Sequence, residues 1–95
     1  MGKDEIKKKI LKNIEIAKKY KIKSLALFGS FVREDANEES DIDLLVEFTE
    51  PTFRNYIGSL RAYEALFEHK VDLVCKDSLK EKMKASIFEE AEDLI

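Results

Sequence analysis

Hydrophobic positions in the first half of the chain change from helical to extended spacing. Four apolar residues recur at intervals of three or four: Ile6, Ile10, Ile14 and Ala17. This spacing predicts an amphipathic helix over residues 4–20. An apolar run at 23–28 then predicts a first strand, and the run at 41–48, in which polar residues interrupt the apolar ones, predicts a second. The polar tract 33–39 between the two strands is expected to be a loop or a short helix.

The second half of the chain again predicts helix, strand and helix. After Pro51, seven apolar residues fall on one side of a long helix that is expected to pack into the core: Phe53, Tyr56, Ile57, Leu60, Tyr63, Leu66 and Phe67. Residues 70–74 predict a third strand. The sequence Ser-Leu-Lys-Glu at 78–81 has the pattern of a capping box and predicts a last helix. Its apolar face would consist of Met83, Ile87 and Ala91.

The order of these segments predicts an α/β fold with a small mixed β-sheet and helices packed against it. Because a whole helix separates the strands at 41–48 and 70–74, a crossover connection can place them side by side and parallel. The strand at 23–28 is free to run antiparallel to its neighbour, which would make the sheet mixed. With 95 residues, the chain is expected to form one domain, residues 1–95.

Charge is distributed unevenly along the chain. Residues 1–23 hold nine lysines against three acidic residues, whereas the formal net charge of the whole chain is −3. A lysine-rich helix is usually a solvated face, and an acidic chain gains little affinity for a phosphate backbone, so nucleic acid is not an expected partner. The sequence shows no apolar signal or membrane-spanning segment, and Cys75 is its only cysteine. These features favour a cytoplasmic protein that has no membrane association.

Two aspartates lie at the start of the second predicted strand. Asp41 and Asp43 are two residues apart, so a strand places both carboxylates on one face while Ile42 and Leu44 point into the core. Carboxylates held this close repel each other unless a cation lies between them. Mg²⁺ prefers such oxygen ligands and keeps positions open for phosphate oxygens. The spacing therefore indicates half of a metal site.

A glycine and a serine directly follow the first predicted strand. Gly29 allows the backbone to approach a bulky anion such as a triphosphate, and Ser30 adds a hydroxyl group. If a helical turn begins near Ser30, its free backbone N–H groups face the same phosphates. Taken alone, the pair also fits an ordinary turn; the aspartates downstream favour phosphate binding.

Together, these residues resemble the signature of the minimal nucleotidyltransferases, the smallest members of the DNA polymerase β-like nucleotidyltransferase superfamily. The matching stretches are Gly29–Arg33 (GSFVR), Ser40–Val46 (SDIDLLV) and Val71–Val74 (VDLV), the last of which supplies a third carboxylate, Asp72. The chain departs from the common form of the signature at Val32 and Glu34, where alanine and glycine are frequent. Every residue that the resemblance assigns to metal binding is present.

The resemblance implies a polymerase β-like nucleotidyltransferase fold and roles for seven residues. Three would be both catalytic residues and ligands of two Mg²⁺ ions: Asp41, Asp43 and Asp72. Four would bind the nucleotide: Gly29, Ser30, Arg33 and Ser40. ATP is the expected substrate, and an acceptor hydroxyl would attack its α-phosphorus in line and release pyrophosphate. Arg33 also suits an ion pair with its acidic neighbours, and Ser40 also suits a bracing role before the strand.

The resemblance further implies a partner protein. Chains of this kind are commonly encoded beside a helical HEPN-type ribonuclease toxin, which points to an antitoxin that transfers AMP from ATP to a tyrosine of that toxin. A chain with no room for an acceptor-binding domain suits this role. Two alternatives stay open: a non-catalytic antitoxin that binds and occludes its partner, and a catalytic subunit that modifies a small molecule or an RNA end. Apolar residues left over from the core are compatible with a homo- or hetero-oligomer.

Overall fold

A four-stranded mixed β-sheet forms the centre of the computed structural model, which describes residues 1–95. The strands are β1 Ile22–Phe28, β2 Ile42–Phe48, β3 Val71–Cys75 and β4 Glu92–Asp93, in the spatial order β3-β2-β1-β4. Strand β1 runs antiparallel to both β2 and β4, whereas β2 and β3 are parallel. The predicted α/β class, the mixed sheet and the parallel crossover are therefore confirmed.

Five α-helices and a 3₁₀ turn connect the strands. They are α1 Lys3–Lys12, α2 Ile14–Lys19, α3 Ser30–Arg33, α4 Phe53–Phe67 and α5 Glu81–Glu90, with the 3₁₀ turn at Lys76–Ser78. The prediction of one continuous helix over 4–20 is wrong, because the chain breaks at Asn13. The side-chain amide of Asn13 donates to the carbonyl of Lys9, and such a bond competes with the regular helical pattern. No helix combines the length and apolar character that crossing a membrane requires.

The core lies on the face of the sheet that packs against α1 and α4. Its buried side chains are Ile6, Ile10, Leu25, Leu27, Phe31, Ile42, Leu44, Val46, Phe48, Tyr63, Phe67, Val71, Leu73 and Leu94. In β2, the alternation of a strand sends Ile42, Leu44 and Val46 to this face and leaves Asp43 and Glu47 on the other. The hydrophobic pattern of β2 thus determines which face of the sheet carries the carboxylates.

Strand β4 was not predicted, because two residues are too few to show a hydrophobic period. It pairs with Ala26 and Leu27 of β1. Just beyond it, the backbone N–H groups of Leu94 and Ile95 donate to the carbonyl of Leu25, at 2.8 and 3.1 Å. The last residues of the sequence therefore belong to the sheet.

Three predictions about helix ends and helix faces are wrong. Phe53 is 79% exposed because it is the first residue of α4, one turn before the helix reaches the core. Helix α5 buries none of its residues, so Met83 and Ile87 do not form a core face. The predicted capping box is absent because Ser78 lies in the 3₁₀ turn and donates to the carbonyl of Cys75. As a result, α5 begins without a side-chain cap.

Two tyrosines of α4 differ in the hydrogen bonding of their hydroxyl groups. Tyr56 donates to the carbonyl of Leu73 at 2.7 Å, whereas the buried hydroxyl of Tyr63 has no partner. Burial also raises the pKa of Tyr63 to about 12, so the group stays neutral at physiological pH. An unpartnered buried hydroxyl costs about 1–3 kcal/mol, whereas a typical hydrogen bond contributes about 1 kcal/mol.

Tyr63→Phe is expected to raise the free energy of unfolding by about 1 kcal/mol, because it removes the unpartnered oxygen. Tyr56→Phe is expected to lower it by about 1 kcal/mol, because it removes a hydrogen bond. Urea denaturation of the two variants measures both values, and each variant is the control of the other since both lose one oxygen from the same helix. A loss of stability in Tyr63→Phe equal to that in Tyr56→Phe would contradict the assignment.

Candidate active site

Three carboxylates are placed along the face of the sheet opposite to the core. The parallel register of β2 and β3 pairs Asp43 with Asp72, and each lies between residues buried in the core. Asp41 precedes β2 by one residue, and strand alternation puts it on the same side as Asp43. Asp43 and Asp41 are half-buried, while Asp72 is exposed. The fold thus brings together carboxylates that are 29 residues apart along the chain.

Asp43 is in an unfavourable environment for a negative charge. Burial, followed by the charges of Asp72 and Asp41, raises the pKa of Asp43 to about 6. Neither Asp43 nor Asp72 takes part in an ion pair. Asp41 forms an ion pair with Lys70 alone, with 4.0 Å between Oδ2 of Asp41 and Nζ of Lys70. The carboxylates of Asp43 and Asp72 therefore have no ion-pair partner, and the charge of Arg33 only partly offsets the rise in the pKa of Asp43.

The donor set fits a divalent cation. Carboxylate oxygens are the ligands that Mg²⁺ prefers, and a cation relieves the repulsion between like charges. No three acidic, histidine or cysteine side chains are close enough together to hold a metal ion as a complete group in this structure. A cation at Asp43 and Asp72 would therefore need ligands from outside the protein, for which phosphate oxygens and water are suitable.

Gly29 forms a sharp corner between β1 and α3, next to Asp43. Its φ of +78° is a conformation that favours glycine. A Cβ atom at this position would lie 3.0 Å from the Cγ of Asp43 and would collide with its carboxylate oxygen. The close approach of Gly29 to Asp43 is therefore possible only because glycine has no side chain. Phe28, the residue before it, pairs with Asp43 in the sheet and fixes this register.

Helix α3 begins at Ser30, directly after the corner, so the helical turn expected there is present. Arg33 ends this turn, and its guanidinium pairs with Glu90 (Nη1 to Oε1, 2.7 Å) and with Asp35 (Nε to Oδ2, 3.3 Å). Hydrogen bonds to Glu90 and then to Asp35 raise the pKa of Arg33. Glu90 also accepts a hydrogen bond from the backbone N–H of Gly29 at 3.1 Å.

Sequence reasoning missed Glu90. It lies 57 residues after Arg33, on the last helix, and no motif or spacing relates the two. The only signal in the sequence is an acidic residue in the last turn of a predicted helix, where the helix dipole disfavours negative charge.

Ser40 stabilises the loop before β2. Its hydroxyl accepts a hydrogen bond from the backbone N–H of Asn37 at 2.9 Å, and its carbonyl oxygen contacts Nε2 of His69. The ring of His69 in turn packs edge-on against Phe31, with 6.0 Å between ring centroids. These contacts correspond to the bracing role that the sequence left open for Ser40.

In the absence of divalent cations, Asp43→Asn is expected to raise the Tm at pH 8. Because the pKa of Asp43 is about 6 in the folded protein and about 4 in the unfolded chain, the native state binds this proton more tightly. The charged carboxylate therefore destabilises the folded protein above pH 6, and this destabilisation is lost as the pH falls towards 4. Thermal denaturation in EDTA should show a higher Tm for Asp43→Asn than for the wild type at pH 8 and no difference at pH 4.

The matched control is Asp93→Asn, which removes an exposed aspartate of β4 in the same sheet. Because this side chain is exposed, the substitution is expected to change the Tm at pH 8 much less than Asp43→Asn does. A gain in Asp43→Asn that is the same at pH 8 and pH 4 would show that the charge of Asp43 is not its cause.

Two kinds of sequence comparison relate the chain to known proteins. A family described as nucleotidyltransferase domain matches residues 5–94. A protein of Methanocaldococcus jannaschii described as a candidate protein adenylyltransferase is 47% identical over 79 residues, which cover 79% of each chain. The protein adenylyltransferase MntA of Thermococcus cleftensis is 38% identical over 77 residues, covering 80% of this chain and 78% of that protein.

Solved structures share the fold. One described as a candidate minimal nucleotidyltransferase superposes with a TM-score of 0.83 at 27% identity and covers 97% of this chain and 95% of its own. Another comes from a complex of a tri-AMPylated HEPN toxin with an MNT antitoxin from Shewanella oneidensis. It has a TM-score of 0.66 at 19% identity and covers 92% of this chain and 69% of its own, a likeness of fold alone.

Proposed function

Since this chain belongs to the nucleotidyltransferase domain family, as a minimal nucleotidyltransferase with the polymerase β-like fold, we propose that it transfers AMP from ATP to a hydroxyl group of a partner protein. Membership of the family confirms the prediction of a nucleotidyltransferase enzyme. The metal, the nucleotide, the acceptor and the roles of single residues belong to the proposal, as does a single catalytic domain over residues 1–95.

One observation carries the proposal: the sheet register places Asp72 beside Asp43, and Asp43 lies against the Gly29 corner. In this proposal, Asp41, Asp43 and Asp72 hold Mg²⁺ ions at two positions. The bound metal supplies Lewis-acid stabilisation of the charge that develops on the phosphates. The lack of an ion-pair partner for Asp43 supports this assignment, because a cation is attracted to carboxylates that repel one another.

The phosphates bind at the corner between β1 and α3. The backbone N–H of Gly29, the hydroxyl of Ser30 and the guanidinium of Arg33 are the donors, and they hold the triphosphate next to the carboxylate of Asp43. Asp72 is exposed, so an incoming acceptor hydroxyl can reach its carboxylate, which accepts the hydroxyl proton. Ser40 acts indirectly, by stabilising the loop that leads to Asp41.

The proposed acceptor is a tyrosine of a HEPN-type toxin, which makes this chain an antitoxin. Two findings support the choice: a relative named as a protein adenylyltransferase, and a fold neighbour that occurs in a complex with an AMPylated HEPN toxin. The open face beside Asp72 is compatible with an acceptor presented by another protein. Because the reaction consumes ATP, we place it in the cytoplasm.

The test combines the full chain, ATP labelled on its α-phosphate, Mg²⁺ and the HEPN protein encoded beside its gene. Label is expected on the HEPN protein, and both EDTA and replacement of the acceptor tyrosine by phenylalanine should abolish it. Absence of label while both proteins are folded would overturn the proposal. Label on a small molecule or an RNA end instead would assign a different acceptor to the same chemistry.

A further inference from the structure

The carboxylate of Glu90 uses the anion donors of the Gly29 corner. Its Oε2 accepts the backbone N–H of Gly29 at 3.1 Å, and its Oε1 accepts from Nη1 of Arg33 at 2.7 Å. A carboxylate and a phosphate both present negatively charged oxygens to such donors. Glu90 therefore occupies two of the donors that the proposed function assigns to the phosphates of the nucleotide.

Apart from the hydrogen bonds of Glu90, few contacts hold helix α5 in place. None of its residues is buried, and none packs against the core cluster. Its first turn lacks a side-chain cap, and Phe88 is 42% exposed, with Nζ of Lys76 placed 5.3 Å from the centroid of its ring. A ten-residue helix is marginal without tertiary contacts, so little energy opposes a movement of α5 itself, whereas β4, which begins two residues after Glu90, stays paired with β1.

The position of Glu90 on its helix is itself unfavourable. It occupies the last residue of α5, where the negative end of the helix dipole disfavours a carboxylate by about 0.3–1 kcal/mol. The hydrogen bonds from Gly29 and Arg33 therefore stabilise the carboxylate of Glu90 in this position.

We propose that Glu90 is an internal competitor of the nucleotide: a phosphate group of the substrate displaces it from Gly29 and Arg33, and the end of α5 moves away. This inference rests on the proposed phosphate site. No covalent bond is made or broken, because one anion replaces another as the acceptor of the same hydrogen bonds. Glu90 then sets the affinity for nucleotide, because the apparent dissociation constant rises as the fraction of molecules with a free corner falls.

The test compares the full-length wild-type chain with Glu90→Gln and with Glu89→Gln. Glu89 is exposed and adjacent, so its variant makes the same change of charge without touching the corner. Calorimetric titration with Mg²⁺ and the imido analogue of ATP is expected to show about 3- to 10-fold tighter binding by Glu90→Gln and unchanged binding by Glu89→Gln. Amide hydrogen exchange within residues 81–90 should accelerate when the analogue binds to the wild type.

The outcomes separate the inference from the function on which it rests. Equal affinity of wild type and Glu90→Gln, with unchanged exchange in α5, would overturn the inference and leave the phosphate site standing. Weaker binding by Glu90→Gln would also overturn it, because Glu90 would then hold Arg33 in place for the nucleotide. If neither protein binds the analogue while circular dichroism shows both to be folded, the phosphate site fails and the inference with it.

Discussion

Asp43→Asn is expected to reduce the rate of AMP transfer by about 100- to 1,000-fold while leaving the fold intact. Asparagine keeps the shape of the side chain but removes the charge that the proposed metal site needs. Removing the charge of this half-buried carboxylate does not destabilise the protein. The rate is measured as transfer of α-phosphate label to the partner protein at saturating ATP. Thermal denaturation of the same samples shows whether the variant is folded.

Asp93→Asn is again the matched control, and its transfer rate is expected to equal that of the wild type. A second measurement distinguishes enzymatic from non-enzymatic action: the ability of each variant to neutralise the partner in cells. If Asp43→Asn loses label transfer but still neutralises, the chain acts by occlusion. If it keeps label transfer, Asp43 is not part of the catalytic site.

Gly29→Ala is expected to lower the free energy of unfolding by about 1–3 kcal/mol and to weaken ATP binding by at least about 10-fold. The positive φ strains any residue with a Cβ, and that atom would push the carboxylate of Asp43 out of position. Urea denaturation measures the first effect and calorimetric titration with Mg²⁺ and the imido analogue of ATP measures the second.

Gly2→Ala is the control for this substitution. A Cβ on Gly2 would meet no atom within 4 Å, so its ATP affinity is expected to match that of the wild type. Normal nucleotide affinity in Gly29→Ala would show that the corner tolerates a side chain and does not receive the phosphates.

Much of the fold follows from patterns that a sequence can display. The alternation in Ile42–Val46 determines which face of β2 is buried, and with it the side on which Asp43 lies. A helix between two strands allows a parallel crossover, which is why the pairing of β2 with β3 was predictable. The turn at Ser30 was predictable too, since a glycine directly precedes it.

Other features depend on contacts between distant segments, which spacing does not reveal. The apolar spacing in α5 resembles that of a core helix, yet a spacing does not say whether the sheet has room for that helix. The contact between Glu90 and the Gly29 corner joins residues 61 positions apart, and neither residue has a local signal for the other. The part of the candidate site that comes from the last helix was therefore visible only in the folded chain.

Strand β4 has a consequence for association between molecules. Without it, the outer side of β1 would offer unpaired N–H and C=O groups along a mostly apolar strand, the kind of edge that recruits strands from other molecules. Two residues of β4 and the two that follow occupy the middle of that edge. The same few residues thus protect the protein against intermolecular strand addition and aggregation.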